Sequence, residues 1–234
     1  MLGFFERLVA TYPAAEPVPP PRTFFRFLWA CAQGVRPWLL VLTLLTACIG
    51  AFEALLFSML AHIVDLLGST PRERLWADHG NTLLLLAAVL VGSIGLAGLQ
   101  AMVKYQVLFV SFPMRLRWNF HRLMLRQSLS FYQDEFAGRI STKLMQSALA
   151  VRDTWMIFAD ILVYVVIYFA TMVAIVGGFD AWLMLPFGGW LLCYALALWF
   201  FVPRLGKVAA AQADARSLMT GRITDAYTNI ATVK

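Results

Sequence analysis

FPMRLRWNFHRLMLRQSLSFYQDEFAGRISTKLMQSALAVRD, residues Phe112 to Asp153, is the largest polar interruption in an otherwise apolar chain. It carries Arg115, Arg117, Arg122, Arg126, Arg139, Lys143 and Arg152 against only Asp134, Glu135 and Asp153. Long apolar stretches flank it on both sides. A basic segment between two such stretches stays on the face of the membrane that retains Lys and Arg. The threading of the whole chain therefore follows from where this segment lies.

Composition supports a membrane setting. Of 234 residues, 61% are hydrophobic and 14% charged, with a mean hydropathy of +0.72. Soluble domains are about 45–50% apolar and about 25% charged. The net charge of +6 and pI near 9.5 reflect basic loops and not nucleic-acid binding, since no soluble module interleaves basic with aromatic residues. Cys31, Cys48 and Cys193 are far apart and form no CxxC, so they are expected to be small apolar fillers with no metal and no disulfide.

Outward from the central loop, the spans follow. Residues 1–22 are proline-rich (TYPAAEPVPPPR) and favour extended geometry. Thr23 to Gln33 (TFFRFLWACAQ) is too short to cross a bilayer; residues 23–34 form either an interfacial helix or the start of the first span, and Gly34 and Pro37 favour a break. Residues 35–234 hold four spans, at about 38–67, 82–112, 155–176 and 181–203, each long enough for the roughly 20 residues a bilayer requires. Gly68 to Asn81 is expected to be a polar loop and Gly177-Gly178-Phe179-Asp180 a tight turn. Basic residues gather before Arg36, in 112–153 and after Pro203, while 68–81 holds only Arg72 and Arg74. Both termini and the central loop are thus expected on the cytoplasmic side of the inner (plasma) membrane.

The polar segments are helical too. From Thr82 to Leu129 only Pro113 opposes a helix; at about 1.5 Å per residue that run is roughly 70 Å long, against a hydrocarbon core of about 30 Å. Leu144, Ala148, Val151, Trp155 and Phe158 recur at 4,3 spacing, as do Met219, Ile223, Ala226, Ile230 and Val233, and Leu116, Phe120 and Leu123 begin the same pattern. Such a repeat favours left-handed packing. The fold class is therefore all-α: a polytopic membrane helix bundle of four long transmembrane helices with cytoplasmic coiled-coil-like extensions. At the far end of the loop, Ser130-Phe131-Tyr132-Gln133 matches a capping box, and Gly138 is placed to end the short helix that follows. Phe131, Tyr132 and Phe136 beside Asp134 and Glu135 either meet a partner or fold back on the stalk.

This loop resembles the first intracellular loop of type I (now type IV) ABC exporters. Their pattern has arginines before a leucine pair, a short phenylalanine-rich helix, a glycine, and a Ser-Arg-Leu stretch leading to Val-Arg; here HRLMLRQSLSFYQDEFAGRISTKLMQSALAVRD stands at matching spacing. SLMTGRITDAYTNIATVK resembles the start of the family's second intracellular loop, and the 23–34 helix resembles its elbow helix. The resemblance covers nearly the whole chain. It implies an ATP-driven exporter of amphipathic substrates with six spans per subunit, working as a homo- or heterodimer. It also implies a coupling helix, here Phe131, Tyr132, Gln133, Asp134, Glu135 and Phe136, that docks on a nucleotide-binding domain using ATP and magnesium. Lys143 stands where arginine is usual and Ser147 where aspartate is usual, which leaves any family ion pair there without its usual members.

No phosphate-binding GxxxxGK[ST] loop occurs in these residues, and no HExxH or GxSxG either. No cofactor or catalytic residue is therefore assigned within them, and a membrane enzyme is disfavoured. A scaffold or regulator without transport activity is the competing function. The helical pattern still runs at Lys234, so the stretch is expected to be either a truncated chain or a fragment, without the fifth and sixth spans and the ATPase of the resembled family. Charges inside spans are costly and often functional. Lys104 and Asp160 are expected to pair or snorkel. Glu53 either lines a substrate cavity or is a hydrogen-bonded structural carboxylate. His62 and Asp65, three apart, make a polar helix end. Purified alone, the 234 residues are expected to release no phosphate from ATP above a blank; measurable hydrolysis would contradict the absence of nucleotide chemistry from this segment.

Overall fold

A computed structural model describes residues 3–69, 75–134, 137–179, 182 and 184–234. Every regular element among them is helical. In order they are α1 (Gly3–Glu6), α2 (Phe24–Cys31), α3 (Arg36–Ser69), α4 (Leu75–Ala101), a π-helical stretch Met102–Phe109, α5 (Val110–Met124) and α6 (Leu129–Asp134). Then come α7 (Ala137–Met156), a second π-helical stretch Ile157–Leu162, α8 (Val163–Phe179), α9 (Met184–Thr228) and α10 (Ile230–Val233). Four uninterrupted helical runs are long and apolar enough to cross a membrane: Arg36–Gly68, His79–Met124, Gly138–Gly178 and Met184–Thr228. The protein is an all-α, multi-pass membrane protein. It divides into two compact units.

The first unit comprises Met1–Val9, Ala32–Ser111 and Thr154–Met184. Its organiser is α3, which packs on α8, on α4 and on the second π stretch, while α1 lies on the first π stretch. Leu39, Leu42, Thr46, Gly50 and Ala54 are buried along one stripe of α3, at spacings of three and four, and Val35 just ahead of the helix continues it. Leu40, Leu44, Leu55 and Leu60 on the other faces are exposed. In lipid there is no hydrophobic gain from hiding leucine, so close packing of small residues and polar contacts between helices supply the attraction. The mixture of Gly, Ala and Thr on the buried stripe fits that requirement.

The second unit comprises Ala10–Cys31, Phe112–Asp153 and Leu185–Lys234. Here α5 and α7 bury Leu116, Ala148 and Val151, positions of the expected seam, together with Phe112. Burying each large side chain from water is worth about 1.5–3 kcal/mol. The seam of α9 and α10 differs: Met219, Ile223, Ile230 and Val233 are exposed, so among the described residues nothing covers them. Helix α2 buries Leu28 and exposes Phe24, Phe25 and Trp29, the asymmetry of an interfacial helix. Burial pushes the Cys31 thiol up to about 11, so at neutral pH it stays protonated and unreactive.

Several local expectations are corrected. The polar loop expected to Asn81 is helical from Leu75, and residues 70–74 lie outside the described ones. Gly177 and Gly178 belong to the last turn of α8 and not to a turn. The fourth helix does continue past Pro203 into its tail, as far as Thr228; Pro186 costs nothing because first-turn N–H groups have no helical acceptor. The first π stretch ends at Phe109, whose carbonyl Pro113 can neither pair with nor tolerate at α-helical distance; widening the turns ahead of the proline relieves both problems. Gly138 sits in the first turn of α7 and does not end a helix. A Cβ there would lie 3.1 Å from Thr224 Cγ2, so the glycine allows α9 to approach α7.

Gly34 does break the chain, between α2 and α3. Its φ is +86°, and Val35 N–H donates to the Ala32 carbonyl at 3.0 Å across the turn. A left-handed backbone costs a residue with a Cβ about 1–2 kcal/mol. Gly34→Ala is expected to lower the thermal midpoint of the purified protein by that order of stability, and Gly34→Asn by less; equal midpoints for all three proteins would contradict a left-handed turn here.

Candidate functional site

In the first unit, the structure brings Lys104 and Asp160 together, each from one of the two π stretches. Lys104 Nζ lies 2.6 Å from Asp160 Oδ2. The other carboxylate oxygen accepts from Thr46 Oγ1 and from Gln100 Nε2, both at 2.9 Å. Gln100 also donates to Thr46 Oγ1 at 3.2 Å. Three side chains from two other helical runs thus close around the Asp160 carboxylate. Asp160 is 7% exposed and Thr46 1%. The geometry satisfies both oxygens, which a charge withdrawn from water requires. Thr46 and Gln100 were not among the residues singled out from the sequence. Their only signal is a hydroxyl and an amide within apolar spans, where such groups are expected to bond across helices.

Glu53, on α3, accepts a very short hydrogen bond from the Tyr164 hydroxyl of α8, and Tyr164 stacks on Tyr168 with centroids 5.7 Å apart. The carboxylate is half-buried. His62 and Asp65 both lie on α3, and among the described residues no group of three His, Cys, Asp or Glu side chains is gathered.

In the second unit, the tip is the short helix α6. Its N-cap is Ser128, two residues before the expected Ser130: Ser128 Oγ accepts from Phe131 N–H at 3.4 Å and shares a 2.9 Å bond with Ser130 Oγ. The Tyr132 hydroxyl donates to the Met124 carbonyl at 2.7 Å, satisfying the exposed end of α5. Phe131 meets Tyr132 edge-on at 5.4 Å and turns inward, where with Phe27, Phe120 and Leu123 it lines a cavity of about 600 Å³. Of the expected docking residues, Tyr132 is exposed, and Gln133 is exposed beside it. Asp134 ends α6, and Glu135 and Phe136 lie outside the described residues.

The proline-rich segment is strapped to α5 by an arginine ladder. Arg115 donates to the Ala10 carbonyl at 2.6 Å, Arg122 to Ala15 at 2.8 Å and Ala14 at 3.3 Å, and Arg126 pairs with Glu16 at 2.9 Å. Tyr12 packs edge-on against Trp118 at 5.5 Å. An extended segment has no ladder of its own, so its carbonyls need outside donors.

Removing one member of a buried ion pair costs about 3–5 kcal/mol, because the survivor is stranded. Lys104 can snorkel on its long stem, whereas the short Asp160 cannot. Lys104→Met is therefore expected to destabilise the protein more than Asp160→Asn does, and the double variant Lys104→Met/Asp160→Asn to recover most of the loss. Thermal melts of the four proteins form the cycle, and additive losses would refute the coupling.

Residues 39–234 match the family model for the ABC transporter transmembrane region. The chain is 50% identical over all 234 residues to a protein of Haemophilus influenzae (strain ATCC 51907 / DSM 11121 / KW20 / Rd) described as an "uncharacterized ABC transporter ATP-binding protein", and it spans 38% of that relative's length. No solved structure matches. Four membrane-length helices, the basic loop between the second and third of them and the family match agree, and the chain belongs to the ABC transporter transmembrane-region family.

Proposed function

We propose that these residues form the membrane-embedded half of an ATP-driven exporter, in which α6 relays closure of a nucleotide-binding domain to the helices that surround the substrate path. The family match over 39–234 carries this proposal. The relative's description, which joins a transporter to ATP binding, supports a partner domain that uses ATP and magnesium. No residue of the present stretch is assigned to the nucleotide.

The second transmembrane half is proposed to cover the exposed positions Met219 and Ile223 of α9 and Ile230 and Val233 of α10, since apolar side chains at 4,3 spacing gain by mutual burial. The substrate is proposed to be an amphipath. Glu53, with its hydroxyl partner Tyr164, is the acidic group proposed to meet a positively charged one. The polarity of the loops supports an inner-membrane location with both termini cytoplasmic.

Docking of α6 has a readout that does not depend on knowing the substrate. Leu129, the first residue of α6, is 75% exposed. In the full natural-length protein with Cys31, Cys48 and Cys193 replaced by Ala, Leu129→Cys is expected to react with a maleimide several-fold more slowly when ATP and vanadate close the nucleotide-binding domains. An unchanged rate, with vanadate trapping of nucleotide demonstrated on the same sample, would refute the coupling role.

A further inference from the structure

A second cavity in the loop unit, of about 500 Å³, lies among α5, α6, α7 and Tyr12 of the strap. That volume is in the range of small-molecule sites. Its walls are apolar and adaptable. Met114 and Met145 offer flexible thioethers, and Leu144 and the Trp118 ring offer surface. Trp118 is held edge-on by Tyr12 and lies 6.1 Å from His121, so its ring is a fixed platform.

The charged lining is cationic. Arg117 contributes a guanidinium, Trp118 an indole N–H and His121 an imidazole, beside the neutral hydroxyls of Tyr12, Tyr132 and Ser141, and among the described residues no carboxylate lines the cavity. Arg117 Nη1 reaches only the Met114 sulfur, at 3.5 Å, which is a weak acceptor. Arg117 Nε and Trp118 Nε1 are buried, and among the described residues neither has a hydrogen-bond partner. Buried donors are almost always satisfied, and those of a charged group most of all. The terminal nitrogens of Arg122 are answered by the strap, although its Nε is not, and Arg126, just past the end of α5, pairs with Glu16; Arg117 has only the weak sulfur acceptor. What its guanidinium and the Trp118 N–H call for is a negative acceptor attached to an apolar body.

The geometry points to a binding site for a small amphipathic anion, its carboxylate or phosphate on Arg117 and Trp118 Nε1 and its apolar part between Met114, Leu144 and Met145. Bound there, it would touch α5, α6 and α7 at once and hold the tip helix in place. The site is independent of the export reading. The anion could be soluble, such as a fatty acid, or the headgroup of an anionic lipid. Both present the same chemistry.

The test uses the full natural-length protein in phosphatidylcholine nanodiscs, with 2-bromododecanoate as the probe, because its bromine sits beside the carboxylate and bromine quenches an indole it touches. Saturable quenching is expected in the wild type, its Trp118 component disappearing in Trp118→Phe. Affinity is expected to fall about ten-fold or more in Arg117→Met and less in Arg117→Lys, which keeps the charge and guards against misfolding as the cause. The neutral 2-bromododecan-1-ol is expected to produce no saturable component. In a second arm, unlabelled phosphatidylglycerol replaces part of the lipid. Loss of the Trp118-dependent component assigns the site to a lipid headgroup, and an unchanged component assigns it to a soluble anion. The proposal is overturned if no Trp118-dependent component exists, if Arg117→Met and Arg117→Lys both bind as the wild type does, or if the alcohol binds as tightly as the acid.

Discussion

A carboxylate inside a bilayer governs how the membrane helices can be arranged. Asp160 has almost no access to solvent, and its charge is tolerable only because an ammonium, a hydroxyl and an amide converge on it from other helices. Leucine against leucine would pack nearly as well in several registers, because lipid and protein interiors are equally apolar. One satisfied charge is far less forgiving. It fixes which face of α3 meets the second π stretch and which turn carries Gln100 and Lys104. The small residues along α3 then permit the close approach that those bonds require.

The loop unit obeys a different solvent. There the seam residues Leu116, Ala148 and Val151 are buried for the reason that holds any soluble protein together, removal of apolar surface from water. The polar bonds are local. Ser128 caps α6, the Tyr132 hydroxyl closes the end of α5, and arginines satisfy a strap that has no regular structure. One chain thus uses polar bonds to specify packing where the surroundings are oil, and apolar contacts where they are water.

Much of this was legible in the sequence, for identifiable reasons. Hydropathy over 20-residue windows is a strong signal, so four membrane-length helices were foreseen, as was the break at Gly34, where only a residue without a Cβ suits the backbone. Lys104 and Asp160 stood out because charges are rare in spans. Thr46 and Gln100 did not, because uncharged polar residues are common in spans and the sequence does not say which partner each one meets across the helices. The cap at Ser128 was missed because Ser128 and Ser130 stand two residues apart ahead of the same short helix, and only the backbone decides between them. Gly138 was misassigned for a related reason: a glycine that stops a helix and one that admits a neighbouring helix look alike in one dimension. The π stretches have no local code. They reflect a proline several residues on and the demand that charges meet. The 4,3 spacing in α9 was visible, yet spacing says what a face would bury and not what covers it.

The strap also separates two properties that charge counts merge. The rule that orients membrane proteins treats lysine and arginine alike, since only the positive charge resists translocation. The strap does not. Arg122 reaches the Ala14 carbonyl through Nη1 and both the Ala15 carbonyl and the Asn119 side chain through Nη2, a planar fork that a lysine ammonium cannot reproduce. A chain with lysine at 115, 122 and 126 would insert with the same topology and leave its N-terminal segment unmoored. Threading and tethering are written in the same residues, but only tethering depends on the shape of the cation.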